Sequence, residues 1–435
     1  MKIGYLTFGR DDFGYGLALV ISKLQGHEVY RVTPKTCKCV DVLLFSVFWW
    51  EHFYLLADFM RRAGMKKSDS KRPRILVGGF CTFNPVPLLA YCDAVIVGDG
   101  EDVINQAVAG DYSADSILTD CKKSVTWGTA ENLTPFVHET NGIARIELAR
   151  GCKFACRFCA VKHLKKYREL PVDSVKEALR KTKLKRVSLF APEPTMHSQD
   201  DDVTALCRRY DKTRVDSDVR LDRLPKRADS VPRVGIEGIS YQLRKSVNKG
   251  YTDDFIIDAV EKCIISGRKG LFMYFILDLP GETEADWDSF KELITRIGTI
   301  KGSEKFLLKP SPSVFMPTPH TPMQGDEIHW DRDYSGKWQS FFGRGKERKW
   351  NVLMAERSRV FSPHMRLLSM MATRGGNEFF DVEHVLASKK IISVVSGRPC
   401  VRDKKALERE LSKRNLIQSY CGKRTTGPWN ILAHA

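Results

Sequence analysis

The chain has 435 residues, 43% of them hydrophobic and 28% charged, with a formal net charge of +17. Length and balance suit a globular protein of two to three domains with cores of their own. No run of about 18 apolar residues occurs, so no membrane-spanning helix is expected, and the positive excess favours polyanionic partners such as nucleic acid.

The first residues, Met1-Lys2-Ile3-Gly4-Tyr5-Leu6, read as a strand and lack a signal-peptide pattern. Twelve cysteines in such a chain argue for a reducing compartment, and a cytoplasmic location is expected. Strands are expected at 2–8, 28–32, 42–48, 74–80 and 94–97, with helices at 16–24 and 51–63. This alternation predicts an α/β domain over 1–110 with a parallel, doubly wound sheet. Residues 111–142 read as a polar connector, punctuated by Pro135 and Asn141-Gly142.

A strand over 143–149 then feeds Arg150-Gly151-Cys152-Lys153-Phe154-Ala155-Cys156-Arg157-Phe158-Cys159. Three cysteines at C-x3-C-x2-C spacing supply three thiolates, one short of a fully protein-bound cubane. On spacing alone a zinc site stays open, with His163 as a fourth ligand. The spacing, with an aromatic residue before the last cysteine, resembles the radical S-adenosylmethionine (SAM) superfamily. The resemblance implies that Cys152, Cys156 and Cys159 hold a 4Fe–4S cluster whose open iron is chelated by SAM. It also implies an electron donor of flavodoxin or ferredoxin type, and reductive cleavage of SAM to a 5′-deoxyadenosyl radical.

Residues 143–325 read as repeated strand–helix units and resemble that superfamily's partial (β/α)6 barrel, with functional residues at the carboxyl ends of strands. Ala191-Pro192-Glu193-Pro194 resembles a degenerate form of the motif that receives the SAM ammonium, which implicates Glu193. A strand-terminating turn is the plainer reading of those prolines. Ser217 and Arg220, in Asp216–Arg220, are candidates for the SAM carboxylate or ribose. Residues 234–250, from Val234-Gly235-Ile236-Glu237 to Asn248-Lys249-Gly250, resemble a block in which Glu237 and Arg244 contact SAM. A structural ion pair between those two is the alternative. Pro280-Gly281-Glu282-Thr283 resembles the turn that meets adenine, through Gly281, although Asp278 stands where that pattern has glycine. Thr283 is expected to cap the next helix. His320, in the stiff Pro-rich 309–323 stretch, is either an acid–base group or a packing residue.

Residues 1–110 resemble the Rossmann-like cobalamin-binding domain found before many such cores. The resemblance leaves room for cobalamin along the carboxyl ends of the strands. The loop that would supply an axial histidine is absent, since the chain reads Gly9-Arg10-Asp11-Asp12-Phe13-Gly14 there. A relic domain that only packs or shapes a cleft is the alternative.

Residues 326–435 read as a basic, mainly helical C-terminal region with helices over 348–359 and 404–413. From 342 onward there are 19 Lys or Arg against 8 Asp or Glu. Trp330, Trp338, Phe341, Phe342 and Trp350 interleave with cations, which suits stacking on unpaired bases or an ordinary core alike. The expected function is a radical SAM enzyme that modifies or isomerises a nucleobase substituent in DNA or tRNA, such as a hypermodified thymidine of phage DNA. Two rivals are a cobalamin-dependent methyltransferase or small-molecule maturase, and a non-catalytic iron–sulfur nucleic-acid-binding protein. No second cysteine triplet is present, which disfavours a sacrificial auxiliary cluster.

Overall fold

The computed structural model describes residues 1–7, 14–215, 218–224, 231–342 and 362–433. They form two compact units. The first comprises the described residues of 1–131, 318–320 and 364–435; the second comprises those of 132–317 and 321–363.

The first unit is built on a six-stranded sheet. Its strands are β1 (Lys2–Leu6), β2 (Glu28–Arg31), β3 (Val42–Ser46), β4 (Arg74–Gly78), β5 (Ala94–Ile96) and β6 (Ile117–Leu118). Their order is β2-β1-β3-β4-β5-β6. The first five are parallel, and β6 runs antiparallel to β5. Strands β3 and β4 are almost wholly apolar because parallel strands are covered on both faces. Ile3, Leu44, Leu76, Ala94, Ile104 and Ile117 form one buried cluster. Helix Glu51–Ala63 buries Phe53, Leu56, Ala57 and Met60, a helical stripe, and closes on Gly64 in the left-handed region. The expected loop at 9–13 lies outside the described residues.

The C-terminal helices Pro363–Arg374, Glu378–Ser388 and Lys404–Lys413, with hairpin Ile392–Val395/Arg398–Val401, complete this unit. They are tied in by buried polar bonds. Tyr54 Oη donates to the Leu368 carbonyl at 2.8 Å. Asn84 Nδ2 donates to the carbonyls of Thr373 (3.2 Å) and Gly375 (2.8 Å). Arg61 Nη1 binds both carboxylate oxygens of Glu383, at 2.8 and 2.6 Å. His320 is also here, buried, with Nε2 2.9 Å from the Phe83 carbonyl. That is a packing arrangement.

The second unit carries parallel strands β8 (Ile143–Glu147), β9 (Arg186–Phe190), β10 (Thr213–Arg214), β11 (Asp218–Val219), β12 (Arg233–Glu237), β13 (Gly270–Leu277) and β14 (Leu307–Val314), preceded by β7 (His138–Thr140). They form two four-stranded sheets, β10-β9-β8-β7 and β11-β12-β13-β14. Only β7 is antiparallel, to β8. Helices Val172–Lys181, Asp200–Arg209, Asp253–Ile265 and Glu284–Gly298 alternate with the strands. Successive parallel strands need such crossovers, so the carboxyl ends of each sheet's parallel strands share an edge. The fold is therefore α/β, with a mostly parallel N-terminal sheet and a strand–helix core; the C-terminal region expected as a separate extension over 326–435 is instead divided, its residues from 364 on belonging to the unit of the N-terminal sheet.

Trp338 is 3% exposed and stacks on Phe290, with centroids 5.3 Å apart; Trp287 and Phe341 close the same cluster. Trp338 is thus a core residue, with the partly buried Phe341 packed beside it. Trp350 and the expected helix over 348–359 lie outside the described residues. Among the described residues no helix is long and apolar enough to cross a membrane.

The Arg61–Glu383 pair gives a first prediction. The Glu383 side chain is 1% exposed and that of Arg61 28%. Burial pushes the Glu383 carboxyl up despite Arg61. Removing one partner of a buried pair leaves an uncompensated charge, so Arg61→Ala is expected to cost about 2–3 kcal/mol at neutral pH, reduced from a fully buried case by the exposure of Arg61. A carboxyl with a raised folded pKa stops costing stability once protonated, so the deficit should shrink toward about pH 5. Urea unfolding of both proteins at the two pH values measures it. An unchanged deficit would show that the carboxylate is not the source.

Candidate functional site at the cysteine loop

The cysteine loop begins where β8 ends. The chain continues through Ala149–Arg150, which pairs antiparallel with Arg168–Glu169 and closes the base of the loop. Gly151 has φ +80°, and a Cβ there would lie 2.5 Å from the Lys166 carbonyl oxygen. Only glycine permits both the left-handed turn and that approach. The neighbouring Arg150 is buried and grips Glu147 through two bonds, at 2.9 and 2.6 Å.

All three cysteines are free and half-buried. Burial pushes the three thiols up, Cys159 to about 11. Lys249 and Arg220 pull Cys152 and Cys156 the other way. Ligation requires thiolates, so a metal must displace protons here. Among the described residues, no three His, Cys, Asp or Glu side chains converge on a point that would hold one ion. A single zinc needs such convergence, whereas each thiolate of a cubane binds a different iron. His163 sits exposed on helix Ala160–Leu164. Three thiolates at this spacing fit a multi-iron cluster with one iron left open.

A second segment braces the loop. The Arg157 N–H donates to the Val247 carbonyl at 3.2 Å, and its Nη1 to the Ser246 carbonyl at 3.0 Å. Asn248 Nδ2 donates to the Ala155 carbonyl at 2.9 Å. Asn248, with the carbonyls of Ser246 and Val247, thus braces the cysteine loop.

Four charged side chains act on the cysteines. Glu193 raises Cys152, and Glu237 raises Cys156 and Cys159, while Arg220 and Lys249 oppose them. Glu193 follows β9, is 4% exposed, and accepts from the Thr195 N–H (3.2 Å) and Oγ1 (2.6 Å). Burial pushes its carboxyl up. It does end the strand in a short turn, Pro194–Met196. The Arg220 guanidinium lies 3.7 Å from the Phe154 ring centroid and holds Asp222 through two bonds, at 2.9 and 3.1 Å. Glu237 ends β12 at φ +75° and binds Lys249 Nζ at 3.0 Å through Oε1. A Cβ on Gly235 would fall 2.1 Å from that same oxygen.

The structure therefore gathers Cys152, Cys156, Cys159, Glu193, Arg220 and Glu237 around one loop. Arg244 is elsewhere. It is fully buried, donating to the carbonyls of Tyr251 (2.6 Å) and Gly238 (3.2 Å) and pairing with Asp253. The ion pairs are Glu237–Lys249 and Arg244–Asp253, not Glu237–Arg244. Ser217 lies outside the described residues. Gly281 stands on the exposed turn after β13 at φ +87°. Sequence reasoning assigned no role to Lys249, Asp222 or Phe154. Nothing local marks Lys249, which meets its partner only because β12 and the loop after helix Tyr241–Ser246 converge.

The turn carrying Gly281 is pinned from both sides. Asp278, buried at φ +61°, accepts from His329 Nδ1 at 2.8 Å and from the Tyr334 hydroxyl at 2.5 Å. Glu282 accepts from Trp287 Nε1 (3.0 Å) and from the Asp278 N–H (2.8 Å). Burial, with Asp278 adding to it, pushes the Glu282 carboxyl from its ordinary 4.5 up to about 7. Protons taken up on folding between those values make stability fall as pH rises through the window. Glu282→Gln keeps an acceptor for Trp287 and is expected to remove about 3 kcal/mol of that decline. Thermal unfolding from about pH 4.5 to 8 checks it, and parallel profiles for the two proteins would contradict it.

Comparison with known proteins follows the same lines. Residues 146–294 match the model of the radical SAM superfamily, and residues 30–123 match that of the N-terminal region of radical SAM proteins. An uncharacterized protein of Methanocaldococcus jannaschii is 25% identical over 285 residues, covering 58% of this chain and 62% of its own. The chain thus spans under two thirds of that relative. The cobalamin-dependent SAM radical enzyme OxsB, with aqua-cobalamin and SAM bound, is similar in fold with a TM-score of 0.54 and 14% identity, over 96% of this chain and 66% of its own. The same enzyme with aqua-cobalamin alone gives a TM-score of 0.54 over 67% of its length.

Proposed function

From a chain whose residues 146–294 form a radical SAM superfamily domain, we propose an enzyme that cleaves SAM reductively at a 4Fe–4S cluster and modifies or isomerises a nucleobase substituent in nucleic acid. The observation that carries the first part is the loop of three free cysteines at a strand end, ringed by two cations and two carboxylates. Cys152, Cys156 and Cys159 would hold the cluster. When bound, it supplies the electron that cleaves SAM to a 5′-deoxyadenosyl radical.

The chain's own groups do the rest. Arg220 and Lys249 offset the negative charge of three thiolates in a half-buried place. Glu193, buried beside Cys152, receives the SAM ammonium. Arg220, and Ser217 outside the described residues, would take its carboxylate or ribose, and the Pro280-Gly281 turn would meet adenine. Glu237 holds Lys249 in place through Oε1, and Arg244, buried, ties helix Tyr241–Ser246 to the Tyr251 carbonyl.

The nucleic-acid part rests on the C-terminal surface. Residues 389–414 carry nine Lys or Arg against three Asp or Glu. Those three acids are engaged: Asp403 caps its helix, Glu408 binds His364, and Glu410 binds Lys389 and Lys413. Leu407 and Leu411 face inward, which leaves Lys404, Lys405 and Arg409 exposed, with Arg398 and Arg402 on the adjoining hairpin. Such a face suits a phosphate backbone. DNA or tRNA carrying an already modified base, for example a hypermodified thymidine, is the substrate we favour. Its substituent is reachable without removing the base from the stack, which costs a few kcal/mol.

One observation supports a second reading, a cobalamin-dependent transfer. In sheets of β2-β1-β3-β4-β5 order ligands bind beyond the ends of β1 and β3, which supports this reading. Phe48 and Trp49, just after β3, are 52% and 60% exposed there, a fit for a flat ring. With no histidine in the loop over 9–14, bound cobalamin would lack histidine ligation.

Two outcomes are expected. Anaerobic reconstitution should give about four iron per chain. Cys152→Ala, Cys156→Ala and Cys159→Ala should each lose most of it, while Glu193→Gln keeps the iron and weakens SAM binding about tenfold or more by calorimetry. Full iron in the cysteine variants would refute the ligand assignment. For nucleic acid, binding should fall steeply with salt. The triple variant K404E/K405E/R409E should flatten that slope. Salt-independent binding, or products formed only from a metabolite extract by mass spectrometry, would exclude the nucleic-acid reading, and cobalt retained in stoichiometric amount would favour the second.

A further inference from the structure

The sheet β11-β12-β13-β14 has two unlike faces. Phe275 of β13 packs on helix Glu284–Gly298, its ring centroid 5.2 Å from that of Phe290, and Leu271 and Met273 on the same side are wholly buried. Side chains alternate along a strand, so Phe272 and Tyr274 point to the opposite face, where both are only partly buried. Parallel pairing sets Arg233 of β12 and Lys309 of β14 on either side of Phe272, and Gly235 and Ser311 on either side of Tyr274.

This second face reaches the cysteine site. A Cβ on Gly235 would fall 2.1 Å from Glu237 Oε1 and 2.9 Å from Lys249 Nζ. The Glu237–Lys249 pair therefore lies over Gly235 on this face, and both of its charges act on Cys156. Arg233, Phe272 and Lys309 form the next row inward, about 7 Å further from the carboxyl ends of the strands.

In that row two cations bear on one ring. The Arg233 guanidinium carbon lies 5.6 Å from the Phe272 centroid, and Lys309 Nζ lies 4.6 Å from it. Among the described residues neither side chain makes an ion pair or a hydrogen bond. Asp218 stands beside Arg233 in register without pairing with it. The contrast within this unit is sharp, since Arg150, Arg214, Arg220 and Arg244 are each held by a carboxylate. Two like charges on one partly covered surface repel each other and lose hydration, and an incoming anion relieves both effects.

We infer that Arg233 and Lys309, converging on Phe272, form a subsite for an anionic group of the substrate, a carboxylate or a phosphate. The inference deepens the proposed function and rests on it, because it takes the cysteine loop as the reaction centre to which this face leads. Arg presents a planar fork to two oxygens of such a group, and Lys a point charge. Phe272 offers apolar contact to the carbon skeleton that bears the group. In the nucleobase reading, the anion is carried by the base substituent or is the nucleotide's own phosphate.

The test uses the full, anaerobically reconstituted chain and calorimetry with four probes. 5-Carboxymethyl-2′-deoxyuridine carries a carboxylate on the base substituent. 5-Hydroxymethyl-2′-deoxyuridine phosphorylated at that hydroxyl carries a phosphate there, and thymidine 5′-monophosphate carries one on the sugar. Unmodified 5-hydroxymethyl-2′-deoxyuridine is the neutral reference. At least one anionic probe is expected to bind about tenfold or more tighter than the reference, and which one does so identifies the source of the anion. Lys309→Met and Arg233→Met keep the stem against Phe272 and remove the charge. Each is expected to raise the Kd for that probe about tenfold, while Lys309→Arg stays within about threefold and the neutral probe within about twofold throughout. Iron content and thermal unfolding verify that each variant is folded; Arg233→Met, at an exposed position, carries the test if Lys309→Met is not.

Equal binding of charged and neutral probes by the unaltered chain overturns the proposal, as does an unchanged Kd for the anionic probe in the two charge-removing variants. A neutral probe weakened in step with the anionic one also overturns it, because the row would then serve shape and not charge. If the anionic probe binds through these residues but SAM yields no 5′-deoxyadenosine under reductant, the anion subsite stands and the radical SAM reading fails.

Discussion

The cysteine loop depends on one close backbone approach. Gly151 turns in the left-handed region with the Lys166 carbonyl where a Cβ would be. That contact, with the Ala149–Arg150 and Arg168–Glu169 ladder, makes a closed loop of the residues between. Everything proposed for the site requires this closure. It brings three thiols 3 and 4 positions apart in sequence to one face at the end of β8. Held there, they meet Arg220 through Phe154 and the 246–248 segment through Arg157 and Asn248. A side chain at 151 would push the two backbones apart and loosen the cysteines together.

Charge balance is the second constraint. Three thiols that burial keeps protonated stand beside two buried carboxylates, an arrangement that disfavours further negative charge. Arg220 and Lys249 make it workable. Each is itself tied to a carboxylate, Asp222 or Glu237, so neither cation can swing away. The positive surface outside the loop extends the same field toward solvent. Thus the overall excess of +17 is not a uniform property of the chain. It is concentrated on the cysteine loop and on the hairpin–helix face at 389–414.

Much of the architecture was legible because its signals are local. Helix Glu51–Ala63 has an apolar stripe and a glycine stop, and it occurs with those ends. The apolar runs of β3 and β4 identify strands covered on both faces, and the cysteine spacing announces itself. Less legible was whatever depends on distant partners. Glu237 and Arg244 look alike as charged residues near a strand end, yet one faces Lys249 near the cysteines and the other is fully buried against Asp253. Asp278 in a glycine position reads as a departure. The structure accommodates it because His329 and Tyr334, some fifty residues on, hold its carboxylate. The aromatic residues near 338 looked equally suited to bases or to a core, and only the packing on Phe290 decides. No composition change marks where the chain leaves the second unit and rejoins the first; buried bonds from Tyr54, Arg61 and Asn84 do that.

The central claim is that Cys152, Cys156 and Cys159 serve radical chemistry on SAM, and not a structural metal. The most direct measurement is chromatographic and mass-spectrometric detection of 5′-deoxyadenosine after anaerobically reconstituted protein is mixed with SAM and a low-potential reductant. The account predicts 5′-deoxyadenosine and methionine in equal amounts, formed only with reductant and iron present. Protein purified anaerobically with one zinc per chain, and no 5′-deoxyadenosine under any reducing condition, would contradict it.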